Sequence, residues 1–141
     1  MNPEIIERQK KAMVAEGMDA LIAISPENVT YTTGLVVPSQ SLMRWRHAIC
    51  IVIADGRVTM LVIDMEETTV RSRGGIEDIR VYREFTDDPM DKLCEALTDL
   101  KLERASLGME MEYIPGKDLM TLQRKLPGAH FVAADSLFHK L

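Results

Sequence analysis

The chain has 141 residues, the length of one ordinary domain, and 46% of them are hydrophobic, which is enough for a sizeable core. The net charge of −5, with lysines and arginines scattered along the chain, argues against nucleic-acid binding, and no apolar run approaches the roughly 20 residues that span a bilayer. The chain starts with a charged stretch that lacks the apolar core of a signal peptide. Its two cysteines stand in apolar runs, as reduced thiols would. Both features favour a cytoplasmic location.

The first part of the chain predicts two helices around one buried strand. The first helix runs from the Asn-Pro start to Gly17, because Asn caps free N–H groups, Pro fits the first turn and Gly ends helices. The apolar run 20–24 is too short for a helix and predicts a strand covered on both faces. A short helix capped by Ser25 should end at Gly34, and residues 35–47 predict an irregular loop that becomes a strand.

The middle of the chain predicts a hairpin followed by a helix and an outer strand. Two apolar runs, 48–54 and 58–63, flank the Asp-Gly pair at 55–56, whose residues tolerate positive φ. Residues 64–73 predict a helix, since acidic residues at its start offset the helix dipole. The alternating run 79–82 predicts an edge or near-edge strand.

The last part of the chain alternates helices and strands. An Asp-Pro pair at 88–89 caps a helix with one apolar face, and 106–109 predicts the next strand. A helix from Pro115 leads to the last strand, 130–133, and 135–141 begins a further helix. This alternation predicts one α/β domain over the whole chain, with a mixed central sheet and helices on both faces.

The residues offer no complete catalytic site. There is no Gly-x-Ser-x-Gly elbow, and the three histidines do not follow the spacing of a zinc motif. Two acidic clusters, 64–67 and 110–112, each follow a strand and have the chemistry to hold a divalent ion or to perform acid–base work. A helix N-terminus explains the first cluster and a solvated loop the second, so we predict no catalytic residue and no metal ligand.

The segment with the clearest binding chemistry is Arg44-Trp45-Arg46-His47. Alternation along a strand puts Arg44 and Arg46 on one face and Trp45 and His47 on the other. Guanidinium groups bind carboxylates through two parallel hydrogen bonds, and Trp offers a large surface to a ligand or partner. The segment is also explained as the start of an amphipathic strand whose Trp packs into the core.

Several blocks resemble the creatinase/prolidase family. The first is Gly-Met-Asp-Ala-Leu-Ile-Ala-Ile-Ser-Pro-Glu-Asn-Val-Thr-Tyr-Thr-Thr-Gly at 17–34. Later features agree in order: the Asp-Gly hairpin at 55–56, Leu-Gly-Met-Glu at 107–110, and Tyr-Ile-Pro at 113–115 before a Leu-bearing helix. The resemblance covers essentially the whole chain, residues 1–141.

This resemblance implies an N-terminal domain of ribonuclease-H-like topology within a two-domain parent. The parent's catalytic domain, with the "pita-bread" fold, would follow at the C-terminal side and carry a divalent metal pair, Mn, Co or Zn, in peptidases. In such proteins the N-terminal domain helps to form a homodimer and reaches over the partner subunit's active site. By region, the resemblance assigns Arg44, Trp45, Arg46 and His47 as candidates that contact a small peptide or amide substrate, and it implies no cofactor in this chain.

Three functions remain open at this point. The first is an accessory domain of an Xaa-Pro dipeptidase or aminopeptidase P-like metallohydrolase, without hydrolysis by this chain alone. Within this first function, the alternative parent is a creatinase-like C–N hydrolase. The second function is a protein-binding module without catalysis. The third is a small free-standing enzyme that uses Asp64, Glu66 or Glu110.

Overall fold

The computed structural model of the chain describes residues 1–42, 47–73 and 75–140. Its strands form one six-stranded sheet in the order β4-β3-β2-β1-β5-β6. The strands are β1 Ala20–Ala23, β2 Ile49–Ile53, β3 Val58–Ile63, β4 Asp78–Tyr82, β5 Ser106–Met109 and β6 His130–Ala133. All neighbours are parallel except β2, which is antiparallel to both β1 and β3. The predicted mixed sheet is confirmed, as is the position of β4 at an edge.

The helices are α1 Pro3–Glu16, α2 Pro26–Thr33, α3 Pro38–Leu42, α4 Glu67–Arg73, α5 Pro89–Asp99, α6 Gly116–Lys125 and α7 Asp135–Lys140, with a 3-10 turn over Asp64–Glu66. The expectation of an irregular loop over 35–47 is wrong for α3. This helix has five residues, so it is too short for apolar periodicity to reveal it, and its only local signal is the proline at its start.

The helix ends follow the local chemistry of the sequence. The Ser25 hydroxyl accepts a hydrogen bond from the Asn28 N–H at 3.2 Å, which satisfies a free donor in the first turn of α2. Gly17 and Gly34 end α1 and α2 with φ of 71° and 76°, left-handed values that cost a side chain strain.

The sheet separates two apolar clusters. Helices α5 and α6 cover one face, and its cluster includes Ile22, Ile51, Leu93, Leu97 and Leu122. Helices α1, α2, α4 and α7 cover the other face, where the cluster includes Met13, Leu21, Val29, Val70 and Leu137. Burial of one such side chain stabilises the fold by about 1.5–3 kcal/mol. Among the described residues, no helix combines the length and apolarity needed to cross a membrane.

The two cysteines are buried and unbonded, in different clusters. Burial raises the pKa of the Cys50 thiol to about 12 and that of the Cys94 thiol to about 11. Both thiols therefore stay protonated at neutral pH, and neither is an activated nucleophile.

One end of the sheet gathers most of the connecting segments. Because only β2 runs in the opposite direction, the carboxyl ends of β1, β3, β4, β5 and β6 lie together with the start of β2. The chain moves from β1 to β2, β3 and β4 on one side, and β5 and β6 add to the other side of β1. The β1–β5 boundary is therefore a topological switch point, the place where open α/β sheets bind ligands.

Candidate functional site

A buried carboxylate, that of Glu110, occupies the switch point between β1 and β5. Glu110 follows β5 directly and is 4% exposed. Its Oε2 accepts hydrogen bonds from the N–H groups of Ile24 and Ser25, at 2.6 and 2.8 Å. Its Oε1 accepts from the Ser25 hydroxyl at 2.7 Å and from the Asn28 Nδ2 at 2.5 Å.

The Glu110 carboxylate occupies the position at the β1–β5 boundary where open α/β sheets bind ligands. The N-terminus of a helix attracts anions, because its N–H groups are free and its dipole is positive there. Here the start of α2 receives the anion from Glu110 of the same chain. The expectation that Glu110 lies in a solvated loop is therefore wrong, because the β1–β5 pairing brings it under α2, whereas Glu112 is exposed.

The side chains of the other acidic cluster, residues 64–67, also form hydrogen bonds and an ion pair within the chain. The Asp64 carboxylate accepts from the next N–H at 2.9 Å, and that of Glu66 accepts from the Ser39 N–H at 3.2 Å. Glu67 pairs with Arg71 one turn later in α4, at 2.8 Å. Within the described ranges, no group of three His, Cys, Asp or Glu side chains is arranged to hold a metal ion.

His47 is the one member of the predicted binding segment that the structure describes. Its side chain is buried, with 4% of the residue exposed, and its Nε2 lies 3.3 Å from the Asp118 Oδ2 in α6. Its carbonyl accepts a hydrogen bond from the Tyr82 hydroxyl at 2.8 Å. His47 is thus fixed from two elements, α6 and β4. Arg44, Trp45 and Arg46 lie outside the described residues, and their predicted role stays a prediction.

The residues on the other side of this segment are fixed as well. Gln40 in α3 is buried and donates from its Nε2 to the Ile24 carbonyl at 2.6 Å and to the Ala48 carbonyl at 3.3 Å. The second bond joins α3 to the entry of β2. Ser39 adds its N–H bond to Glu66. Residues on both sides of 43–46 are therefore anchored at the carboxyl end of the sheet.

Sequence reasoning missed the anchoring residues Gln40, Tyr82 and Asp118. Each is an ordinary polar residue by its local context, and its role follows from which strands and helices become neighbours. Gln40 stands between two serines in a short segment after Pro38, so no local signal pointed to its role.

The sequence matches the family model described as the creatinase/prolidase N-terminal domain over residues 5–141. Comparison with curated proteins found no match. Among solved structures, the N-terminal domain of the Xaa-Pro dipeptidase from Lactobacillus brevis has a TM-score of 0.82 at 12% identity, over 96% of this chain and 98% of that chain. A Creatine_N superfamily domain of a dipeptidase from Streptococcus thermophilus has a TM-score of 0.80 at 16% identity, over 96% of both chains.

Longer relatives contain the same fold as one part of their chain. A dipeptidase from Pyrococcus horikoshii OT3 has a TM-score of 0.76 at 21% identity, and the match covers 96% of this chain but 35% of that chain. At such identities the structural matches show the fold, and the family model shows the descent. The predicted resemblance is confirmed. The chain belongs to the creatinase/prolidase N-terminal domain family.

Proposed function

We propose that this chain is the non-catalytic N-terminal domain of an Xaa-Pro dipeptidase or aminopeptidase P-like metallohydrolase. In this role it contributes to a homodimer and covers the substrate pocket of the partner subunit. The observation that carries the proposal is that Gln40 and His47, which flank residues 43–46 in the sequence, are both held by hydrogen bonds at the carboxyl end of the sheet. Solved relatives in which this fold is about a third of the chain support it.

The chemistry of the segment suits a small peptide. Arg44 and Arg46 carry guanidinium groups, which bind a carboxylate through two parallel hydrogen bonds, and a dipeptide has a free carboxylate. Trp45 offers a rigid apolar surface to a ring such as that of proline. His47, which is buried, contributes by holding the segment through Asp118 and Tyr82.

The hydrolytic chemistry belongs, in this proposal, to a C-terminal catalytic domain with a pair of Mn, Co or Zn ions. The buried acidic residue of this chain, Glu110, is engaged by four donors, which argues against a hydrolytic role for it. The proposed partners are that catalytic domain, a second subunit and a small peptide or amide, in the cytoplasm, without nucleic acid or membrane.

The test compares this chain with the longest natural polypeptide that carries it. Both are assayed for hydrolysis of Xaa-Pro dipeptides with Mn, Co and Zn. We expect activity in the longer polypeptide and none in the chain alone. Turnover by the chain alone, abolished by Glu110→Gln or Asp64→Asn, would overturn the proposal in favour of a free-standing enzyme.

The role of the segment is tested by Arg44→Ala and Arg46→Ala in the longer polypeptide. If these residues bind the substrate carboxylate, KM rises about tenfold or more, since a charged hydrogen bond contributes about 1.5–3 kcal/mol. Arg57→Ala is the matched control, because Arg57 is exposed in the β2–β3 turn at the opposite end of the sheet, paired with Asp55. An unchanged KM for both segment variants would remove their assigned role.

The same assays distinguish between the two alternatives that the sequence analysis left open. Hydrolysis of a guanidino compound, with prolyl dipeptides untouched, would indicate a creatinase-like C–N hydrolase. Absence of any hydrolysis, together with a purified protein partner that binds the chain stoichiometrically, would indicate a binding module.

A further inference from the structure

The turn between β4 and α5 presents an aromatic side chain to solvent. Phe85 is 95% exposed, so its ring contacts almost nothing in this chain and gains nothing from burial. A single exposed apolar residue is ordinary on a protein surface and needs no explanation by itself. Phe85 differs from such a residue because its backbone is also in an unfavourable conformation.

The backbone of Phe85 has a φ of 67°, in the left-handed region. A side chain is disfavoured there because its Cβ approaches the following carbonyl oxygen, and glycine and asparagine adopt this conformation more readily. The turn is closed by the Asp87 Oδ2, which accepts from the Arg83 N–H at 2.9 Å, and by the Arg83 carbonyl, which accepts from the Asp87 N–H at 3.0 Å. Strained backbone that is held in this way is concentrated at functional sites.

The surroundings of the turn indicate what kind of surface would receive the ring. The cavity beside it has a volume of about 520 Å³ and is lined by Val81 and by charged residues, namely Asp64, Glu67, Arg83, Asp87 and Lys92. This cavity therefore offers the ring no apolar site. Residues 83–88, Arg-Glu-Phe-Thr-Asp-Asp, carry three acidic side chains and one basic one. An apolar pocket with a basic rim would complement both the ring and this charge.

The position of the turn indicates which molecule carries that pocket. Phe85 follows Tyr82, the last residue of β4, whose hydroxyl binds the His47 carbonyl. The turn thus adjoins one flank of residues 43–46 at the carboxyl end of the sheet. Small ligands occupy concave sites, whereas a projecting aromatic side chain suits a pocket on a facing protein surface. The protein that the proposed function sets against this end of the sheet is a catalytic domain.

We propose that Phe85 anchors this domain on the catalytic domain whose substrate pocket it covers, by inserting its ring into an apolar pocket with a basic rim. Because the turn already holds the ring outward, little conformational freedom is lost on docking. The inference rests on the proposed function for the identity of the partner. It requires no hydrolysis, so docking and activity are tested separately.

The first experiment measures whether the turn is covered. Thr86→Cys places a thiol on the exposed neighbour of Phe85 and leaves the ring in place. Its rate of labelling by a maleimide, followed by mass spectrometry of the labelled peptide, is compared in the chain alone and in the longest natural polypeptide that carries it. Val14→Cys, 73% exposed at the end of α1 that leads into the start of β1, is the matched control. The native Cys50 and Cys94 are buried.

We expect Thr86→Cys to react at least about tenfold more slowly in the longer polypeptide, and Val14→Cys to react alike in both. Adding Phe85→Asn should restore fast labelling of Thr86→Cys, because the anchor is then missing. Equal rates in the chain alone and in the longer polypeptide would overturn the proposal. Protection without any hydrolysis would contradict the proposed function and leave the docking in place, whereas hydrolysis without protection would contradict the docking alone.

The second experiment separates docking from a role of Phe85 in its own fold. Phe85→Asn removes the ring and suits the left-handed backbone, so the urea midpoint of the chain alone should not fall. Similar domains of this size exist as separate solved structures. In the longer polypeptide the same variant should raise KM about tenfold, and Phe85→Leu, which keeps an apolar side chain, should raise it less. An unchanged KM for Phe85→Asn, or a lowered urea midpoint of the chain alone, would overturn the proposal.

Discussion

The regions around Glu110 and His47 lie at the same end of the sheet and use their polar residues differently. Around Glu110, one carboxylate receives four hydrogen bonds from α2 and the residues before it, within the blocks that made the family recognisable. Around His47, one polar contact each from Tyr82, Asp118 and Gln40 fixes residues on either side of 43–46. The comparison teaches that the recognisable motif maintains the scaffold. Substrate contact is proposed for residues that no motif marks.

The largest effect should follow Glu110→Ala. It leaves two backbone N–H groups, the Ser25 hydroxyl and the Asn28 amide without their acceptor in a buried place. We expect a loss of about 3–5 kcal/mol in the free energy of unfolding, measured by urea denaturation. Glu112→Ala, at an exposed neighbour, should change it by less than about 0.5 kcal/mol. Similar losses for both variants would contradict the scaffold role of Glu110.

A second variant, Gly108→Ala, sharpens the same comparison. A Cβ at Gly108 would lie 2.7 Å from the Met18 sulfur, 2.8 Å from the Leu21 Cδ2 and 3.0 Å from the Ala134 Cβ. Overpacking of this kind costs about 1–3 kcal/mol, which thermal unfolding would detect. Gly116→Ala is the control, since nothing lies within 4 Å of its added Cβ. If Gly108→Ala were as stable as the wild type, the close approach of β5 to its neighbours would be refuted.

The smallest effect should come from the His47 region. Tyr82→Phe removes the hydroxyl that donates to the His47 carbonyl and leaves this buried acceptor without that donor. The expected loss is about 1 kcal/mol in the free energy of unfolding, the usual net contribution of one hydrogen bond. In the longer polypeptide, the same variant should raise KM, because the flank of the segment loosens. A loss as large as that of Glu110→Ala would remove the distinction between the two regions.

Local chemistry allowed most elements to be predicted from the sequence. Ser25 before a proline caps α2, and the Asp-Gly pair at 55–56 joins β2 to β3, because these residues act on their immediate neighbours. The sequence blocks that resemble the creatinase/prolidase family then predicted the fold class. Helix α3, with five residues, offered no readable period.

The candidate site was less accessible because it depends on contacts between distant residues. Glu110 lies 85 residues from the Ser25 that it binds, and only the strand order shows that they meet. From the sequence its neighbourhood looked like a solvated loop. The same holds for His47, whose contacts with Asp118 in α6 and Tyr82 in β4 cross 71 and 35 residues. Its burial could not be inferred from an Arg-Trp-Arg-His sequence.

The central place of β1 has a consequence for synthesis on the ribosome. All four residues of β1 are buried, and the strand is paired on one side by β2 and on the other by β5. The first partner exists once residue 53 has been made, but the second waits for residues 106–109. During that interval the growing chain presents an apolar strand with one unpaired side, the kind of surface that chaperones bind and that aggregates when it is left uncovered.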